Sequence, residues 1–388
     1  MLPTIGTALI ISAGSGSWVN RVILSNSHLV WFGLISYPLY LWHWPTLTFA
    51  RIIESGTPSL PIRISAVLIS ILLAWFTYSV IERPLRFVKN EKFIFNFLII
   101  AIFIMGSMGY LVYTRNGIIY KNKIKDIGYA IQETEQSFKD KCSQKITNIP
   151  VNNCADVGDK NNYALIIGDS HVRPYYEILK SQIIDSNLGV VAITTGGCPF
   201  LIDTLVSTNK ECAEKNAAIY EFIKQNDHKI RVILLAGEYS YYAVPGVLKS
   251  SDGVDISFTN ALQKTLQHLD RRKIIFLDQI PPVPFNPRKC LNRPYTISDR
   301  NFDCRSNRDE VAGVLIDYKE KKEFVTTLFP GLYSFNVDSV LCDDVSCRVM
   351  SDNNIFYYDK THLNPNGVSF ISSRIKFKHL LQHIIAEK

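Results

Sequence analysis

Tyr163-Ala-Leu-Ile-Ile-Gly-Asp-Ser-His171 decides how this chain is read. Tyr163 to Ile167 is a short uncharged run, the pattern of a strand buried on both faces. Gly168 interrupts it, and Val172 to Ile184 resumes with helical spacing, so Ser170 falls on a tight turn between strand and helix. Such a turn exposes the hydroxyl and aims the first free N–H groups of the helix at any negative charge that develops beside it. A serine hydroxyl also needs a base, and the base needs a group to orient it. Far downstream, Asp359-Lys-Thr-His362 offers both. One turn brings the carboxylate to the imidazole, fixes the tautomer and leaves the other ring nitrogen free to take the serine proton. Ser170, Asp359 and His362 are therefore the candidate catalytic residues; the plainer alternative has Asp359 capping a turn and His362 at the surface.

Further apolar runs surround the first. Gly189 to Ile193, Ile230 to Leu235 and Lys273 to Leu277 repeat the strand signal, and helical stretches over Ala213 to Gln225 and Thr259 to Leu269 separate them. A last helix is expected around Gly367 to Ile385. Strands alternating with helices predict an α/β domain of three layers with a mostly parallel sheet and a site at the carboxyl ends of its strands. The absence of Gly-x-Ser-x-Gly around Ser170 argues against the α/β-hydrolase elbow. Thr194-Thr-Gly-Gly-Cys198 lets the backbone approach a ligand closely, so the N–H groups of Ser170 and of Gly196 or Gly197 are the candidate oxyanion donors; the alternative is a plain turn stapled by Cys198. Glu238 and Tyr239 are candidate acceptor-site residues, the Tyr239 to Tyr242 run serving either as a stacking surface for a sugar or as a half-buried sheet edge.

The N-terminal third has a different character. Leu29 to Ala50, Ile64 to Ile81 and Phe93 to Thr114 are uncharged and close to the length needed for a hydrocarbon core of about 30 Å. Met1 to Val19 is a weaker fourth candidate, rich in Gly and Ser, and it lacks the basic start of a signal peptide. Arg83, Arg86, Lys89 and Lys92 place the loop after the second clear span in the cytoplasm, although Arg51 and Arg63 on the opposite loop weaken that bias. Everything after Thr114 is then delivered to the far side of the membrane.

Cysteine usage agrees with that topology. All eight lie after the last span, at Cys142, Cys154, Cys198, Cys212, Cys290, Cys304, Cys342 and Cys347. An even number on one side fits disulfides in an oxidising compartment, and the spacing suggests local closures of 142 with 154, 198 with 212, 290 with 304 and 342 with 347. Sequence alone does not fix this connectivity. Neither the cysteines nor His379 and His383 show a zinc-binding pattern, so no metal or bound cofactor is expected. The net charge of +7 is dispersed, without a basic helix or finger spacing, which makes nucleic acid a poor partner.

The two chemical motifs resemble the first and last blocks of an SGNH-family domain. By that resemblance Ser170 is the nucleophile, Asp359 and His362 complete the triad, and Gly197 or its neighbour is the second-block glycine. The family's third-block asparagine is missing from Leu234-Leu-Ala-Gly-Glu-Tyr-Ser240, so the resemblance supplies no side-chain oxyanion donor. Ile35-Ser-Tyr-Pro-Leu-Tyr-Leu-Trp-His-Trp-Pro45 and Ile81-Glu-Arg-Pro84 resemble the closing helices of the acyltransferase-3 fold of bacterial O-acetyltransferases that act on lipopolysaccharide O-antigen and related glycans. Read from the residues alone, Trp42 and Trp44 are interface anchors and His43 packs or hydrogen-bonds near the membrane edge.

The resemblance implies a division into a partial acyltransferase-3 membrane domain over 1–92, a connecting transmembrane helix over 93–114, a periplasmic linker over 115–162 and an SGNH domain over 163–388. It implies a multi-pass protein of the bacterial inner membrane with its SGNH domain in the periplasm. The early family helices that handle the acyl donor are not present, so the chain reads as the C-terminal portion of such an enzyme, with a separate chain as one source of the missing helices. The implied reaction carries an acyl group, acetyl-CoA being the ultimate donor, to a glycan hydroxyl through an acyl-serine. Two other functions compete: an SGNH esterase or deacetylase, and a non-catalytic, membrane-anchored glycan-binding domain.

Overall fold

The computed structural model describes residues 2–54, 56–87, 91–115, 154–159, 161–269, 273–290, 303–329, 331–352 and 354–386. The chain forms two compact units, one holding the N-terminal helices and the other the α/β domain.

In the first unit, α1 spans Leu2–Ser12, α2 Ser27–Glu54, α3 Leu60–Phe76 and α4 Glu91–Thr114. Helix α3 runs on through a π-helical turn at Thr77–Glu82 and a last turn at Arg83–Arg86. Among the described residues, two helical segments, Leu60–Arg86 and Lys92–Thr114, are long and apolar enough to cross a membrane. They coincide with the second and third expected spans. The weaker candidate at the N-terminus differs: α1 has 11 residues and stops before Gly14, whose φ is +69°. Helix α2 contains Pro38 and Pro45 and packs on α3, with Trp42 donating to Thr77 Oγ1 at 2.9 Å and Thr46 hydrogen-bonded to the buried Ser70 at 2.6 Å. His43 Nδ1 meets the Leu39 carbonyl at 3.1 Å, the local role expected of it.

The α/β domain is built on a six-stranded sheet. Its strands are β1 (Cys154–Val157), β2 (Tyr163–Gly168), β3 (Gly189–Thr194), β4 (Ile230–Ala236), β5 (Ile274–Leu277) and β6 (Leu332–Phe335), in the spatial order β1-β3-β2-β4-β5-β6. All neighbours are parallel except β1, which runs antiparallel along β3. Strand β1 lies in the stretch that the sequence suggests is linker, so the domain begins before residue 163. Its four residues are too few to give a periodic signal, and the edge position leaves only one partner to satisfy.

Side chains of the central strands alternate between two cores, as a two-residue period requires. Leu165, Ile167, Val191, Ile193, Ile233 and Leu235 face one core with α6 (Cys212–Gln225), α7 (Phe258–His268) and α8 (Arg308–Leu328). Ala164, Ile166, Val190, Ala192, Val232 and Leu234 face the other with α5 (Val172–Ile184), α9 (Pro365–Ser372) and α10 (Phe377–Ala386). The expected C-terminal helix is thus two helices, and α8 with β6 completes a crossover that the apolar pattern does not announce. His379 and His383 are both exposed on α10.

Among the described residues, three of the suggested disulfides are formed: Cys198–Cys212, Cys290–Cys304 and Cys342–Cys347. The first closes a loop with a sequence separation of 14, worth about 3 kcal/mol by chain entropy alone. Cys142, suggested as the partner of Cys154, lies outside the described residues.

Chain order places the site. The chain leaves β2 for β3 on one side, then crosses to β4 on the other, so the strand order reverses at the carboxyl end of β2. There Gly168 takes φ +148° and lies so close to β4 that a Cβ would sit 1.8 Å from the Ala236 carbonyl oxygen. Only glycine allows the serine turn to lie against its neighbour. Gly168→Ala is therefore predicted to destabilise the domain by more than about 2 kcal/mol, read as a lowered unfolding midpoint of the full chain in detergent; an unchanged midpoint would contradict this packing.

Candidate active site

Ser170 follows β2 directly, and His362 arrives on the turn before α9. Ser170 Oγ lies 2.7 Å from His362 Nε2 across 192 positions of sequence. On the other side of the ring, His362 Nδ1 is 2.8 Å from Asp359 Oδ2. A carboxylate oxygen only accepts, so Nδ1 carries the proton, and Nε2 has its lone pair free for the serine O–H. The Asp359–His362 turn is wound around the same carboxylate: Oδ1 accepts the backbone N–H groups of Thr361 at 2.8 Å and His362 at 2.7 Å. Burial opposes the charge on Asp359, but the His362 ring and these two N–H groups outweigh it and hold the carboxyl down to about 2. Asn364 caps α9 by accepting from Asn366 and Gly367, which fixes where the turn ends.

The turn is also pinned to the sheet. Val283 donates to the Lys360 carbonyl at 2.7 Å, and the buried Tyr357 hydroxyl donates to the Pro281 carbonyl at 2.9 Å. Tyr358 stacks on His362 with centroids 5.4 Å apart. Ser170 is partly exposed, so its hydroxyl is reachable while the His362 ring is held on several sides.

The sequence shows Asp169 only as a letter in the first motif, and the structure shows it as a buried hub. Its Oδ1 accepts from the His171 backbone N–H at 2.8 Å and faces His171 Nδ1 at 3.2 Å. Its Oδ2 accepts from the Glu238 N–H at 2.8 Å and the Tyr242 hydroxyl at 3.0 Å. Burial alone disfavours its charge, yet His171 and the backbone donors lower its pKa. His171 is fully buried, and its ring stacks on His362 at 4.6 Å. No spacing rule in the sequence identifies these tertiary partners.

The loop after β3 is tied to the same turn, with Thr194 Oγ1 donating to the Asp169 carbonyl at 2.6 Å and Thr195 N–H to the Gly168 carbonyl at 2.9 Å. Gly196 and Gly197 are exposed at its tip, Gly197 with φ +71°, and Cys198 behind them is anchored to Cys212. Among the described residues, the N–H groups of Ser170, Gly196 and Gly197 have no intramolecular acceptor.

Of the two acceptor-site candidates, one changes its role. Tyr239 is buried and stacks on Phe276 at 4.3 Å, with Phe258 and Tyr318 nearby, so it is part of the core and offers no face to a sugar. The cause is the short helix at Tyr239–Tyr242, which turns Tyr239 and Tyr242 inward and leaves Tyr241 exposed. Glu238 stays half-buried and within electrostatic reach of the serine and histidine turns. Burial raises its pKa, opposed by His171 and His362 and reinforced by Asp169 and Asp359.

A serine at a strand end, paired with a histidine of fixed tautomer, defines an enzyme of the hydrolase or acyltransferase type. The chain belongs to the family of SGNH domains fused to AT3 domains, whose family model matches residues 137–377. Among solved structures it is similar to the periplasmic domain of a lipopolysaccharide acetyltransferase from Salmonella ser. Paratyphi A, with 15% identity over 66% of this chain and 98% of that one and a TM-score of 0.47. No curated protein matches the chain in sequence.

The depressed Asp359 carboxyl makes a stability prediction with a definite sign. A carboxyl lowered from 3.8 to about 2 stabilises the fold above pH about 4, and that contribution is lost as pH falls towards about 2. In Asp359→Asn the acid-induced loss of stability across this window is predicted to be shallower, measured by denaturant unfolding at stepped pH; equal slopes in both proteins would contradict it.

Proposed function

We propose that the protein is an O-acyltransferase, acting through an acyl-serine on a hydroxyl of a periplasmic or cell-surface glycan such as lipopolysaccharide O-antigen, with acetyl as the acyl group. The observation that carries this reading is the continuous relay from Ser170 Oγ through His362 to Asp359. Its placement beyond two helices able to cross a membrane, in a family fused to AT3 domains, supports transfer at an inner-membrane surface with the domain in the periplasm.

In the first half-reaction His362 Nε2 takes the Ser170 proton as Oγ attacks the acyl carbonyl. The N–H groups of Ser170 and of Gly196 or Gly197 serve the oxyanion, and the protonated His362 returns its proton to the leaving oxygen. Asp359 stabilises the imidazolium throughout. In the second half the glycan hydroxyl gives its proton to His362 and attacks the acyl-serine, and collapse restores the serine. Glu238 stands beside this position as an acceptor contact. Acetyl-CoA is the ultimate donor of the pathway, with no bound cofactor required by this step.

Hydrolysis is the second reading, because the same relay deprotonates water as readily as a sugar hydroxyl. The two separate on one experiment: the full chain in detergent, an activated acetyl ester as donor and an oligosaccharide as acceptor. Acetylated sugar is the predicted product, and free acetate alone would make the protein an esterase. Ser170→Ala is predicted to lower turnover by about 10³-fold or more; undiminished turnover would remove the acyl-serine from the mechanism.

A further inference from the structure

His171 is adjacent to the proposed nucleophile but takes no part in the relay. Its ring is fully buried. Nδ1 lies 3.2 Å from Asp169 Oδ1, and Nε2 lies 3.2 Å from the Thr361 carbonyl oxygen. Asp169 is held ionised by its donors, so both partners are acceptors and neither can supply a proton. A neutral imidazole has one N–H and one bare lone pair, so either tautomer would set a lone pair against an oxygen with no solvent to intervene. The opposite ring flip would turn carbons towards both oxygens and lose both bonds. Only the form with a proton on each nitrogen satisfies the site.

We propose that His171 is a permanent imidazolium and a positioning residue, latching the loop that bears Ser170 to the turn that bears His362. The inference deepens the serine-relay reading and rests on it for its functional consequence. One end of the latch is the serine loop itself, through Asp169; the other is the carbonyl of Thr361, the residue before His362. Between them the His171 ring lies stacked on the His362 ring.

The charges around the ring favour this state. Asp169 faces it from the same loop, Glu238 from the segment after β4, and Asp359 and His362 share the turn whose backbone it bonds. Tyr242 faces Asp169 and satisfies its second oxygen. Burial opposes the imidazolium, but Asp169 and then Glu238 outweigh it and raise the His171 pKa. Asp169 in turn accepts four hydrogen bonds, so the pair is a satisfied buried ion pair, and loss of either member leaves the other unpaired.

Nuclear magnetic resonance of the full chain in detergent, with histidine ring nitrogens isotopically labelled, tests the protonation state directly. The protein has eight histidines, and the signal absent from His171→Phe identifies this one. At about pH 8, where an ordinary histidine of pKa about 6.5 has lost a proton, His171 is expected to show a hydrogen on both ring nitrogens. One bare nitrogen would overturn the proposal. The same variant keeps a flat ring but removes both donors. Its kcat on an acetyl ester is expected to fall roughly 10–100-fold with KM changed less than about twofold, whereas a kcat within about twofold of the parent would reduce His171 to packing. Should His171→Phe fail to fold, Asn or Gln at the same position identifies the signal, and the parent spectrum decides. Because the spectrum needs no turnover, an inactive protein or an unaffected Ser170→Ala would discredit the serine relay without disguising the result for His171.

Discussion

Asp169 is a carboxylate placed where water cannot reach it, at the carboxyl end of the strand that starts the site. Removing such a charge from water is costly unless every lone pair finds a donor. Here each oxygen has two, and the donors come from separate parts of the fold: His171 from the serine loop, Glu238 and Tyr242 from the segment after β4. Through His171 the same network reaches Thr361 and the final turn. Three segments distant in sequence therefore meet because one buried charge must be satisfied. The Ser170 to His362 distance follows from that meeting.

The scaffold makes the meeting possible by being rigid on both sides of the sheet. Alternating side chains of β2, β3 and β4 fill two separate cores, so a one-residue slip would exchange them. Gly168 fixes the spacing between β2 and β4 from within, since any side chain there would strike the Ala236 carbonyl. The Cys198–Cys212 bridge restrains the loop that presents Gly196 and Gly197. Ser170 and the Gly196–Gly197 tip thus stand on loops whose ends are held by strands, a division of labour that leaves Ser170 accessible without leaving it free.

Much of this was legible in the residues. Strands β2 to β5 and helix α5 announce themselves because buried parallel strands are continuous apolar runs, and the two motifs bracket the domain with their spacing intact. Other elements were not legible for physical reasons. Strand β1 is too short for a period, and β6 has Tyr333 and Ser334 in place of an unbroken apolar run. Helix α8 did carry a readable start, Asn307 before Asp309 and Glu310, with the Asn307 side chain accepting from Asp309 N–H. Tyr239 cannot be assigned from sequence, because which of the three tyrosines between 239 and 242 face inward depends on one short helical turn. The part played by His171 needed three dimensions, since both of its ring partners are identified only by where the chain folds back.

The proposed passage of an acyl group through Ser170 is open to rapid-quench mass spectrometry of the full chain mixed with an activated acetyl ester. One acetyl group is expected on the peptide containing Ser170, formed slowly or not at all in His362→Ala and discharged when an acceptor glycan is added. An adduct on another residue, or turnover with no adduct on Ser170 under conditions that trap acyl-enzymes, would contradict it.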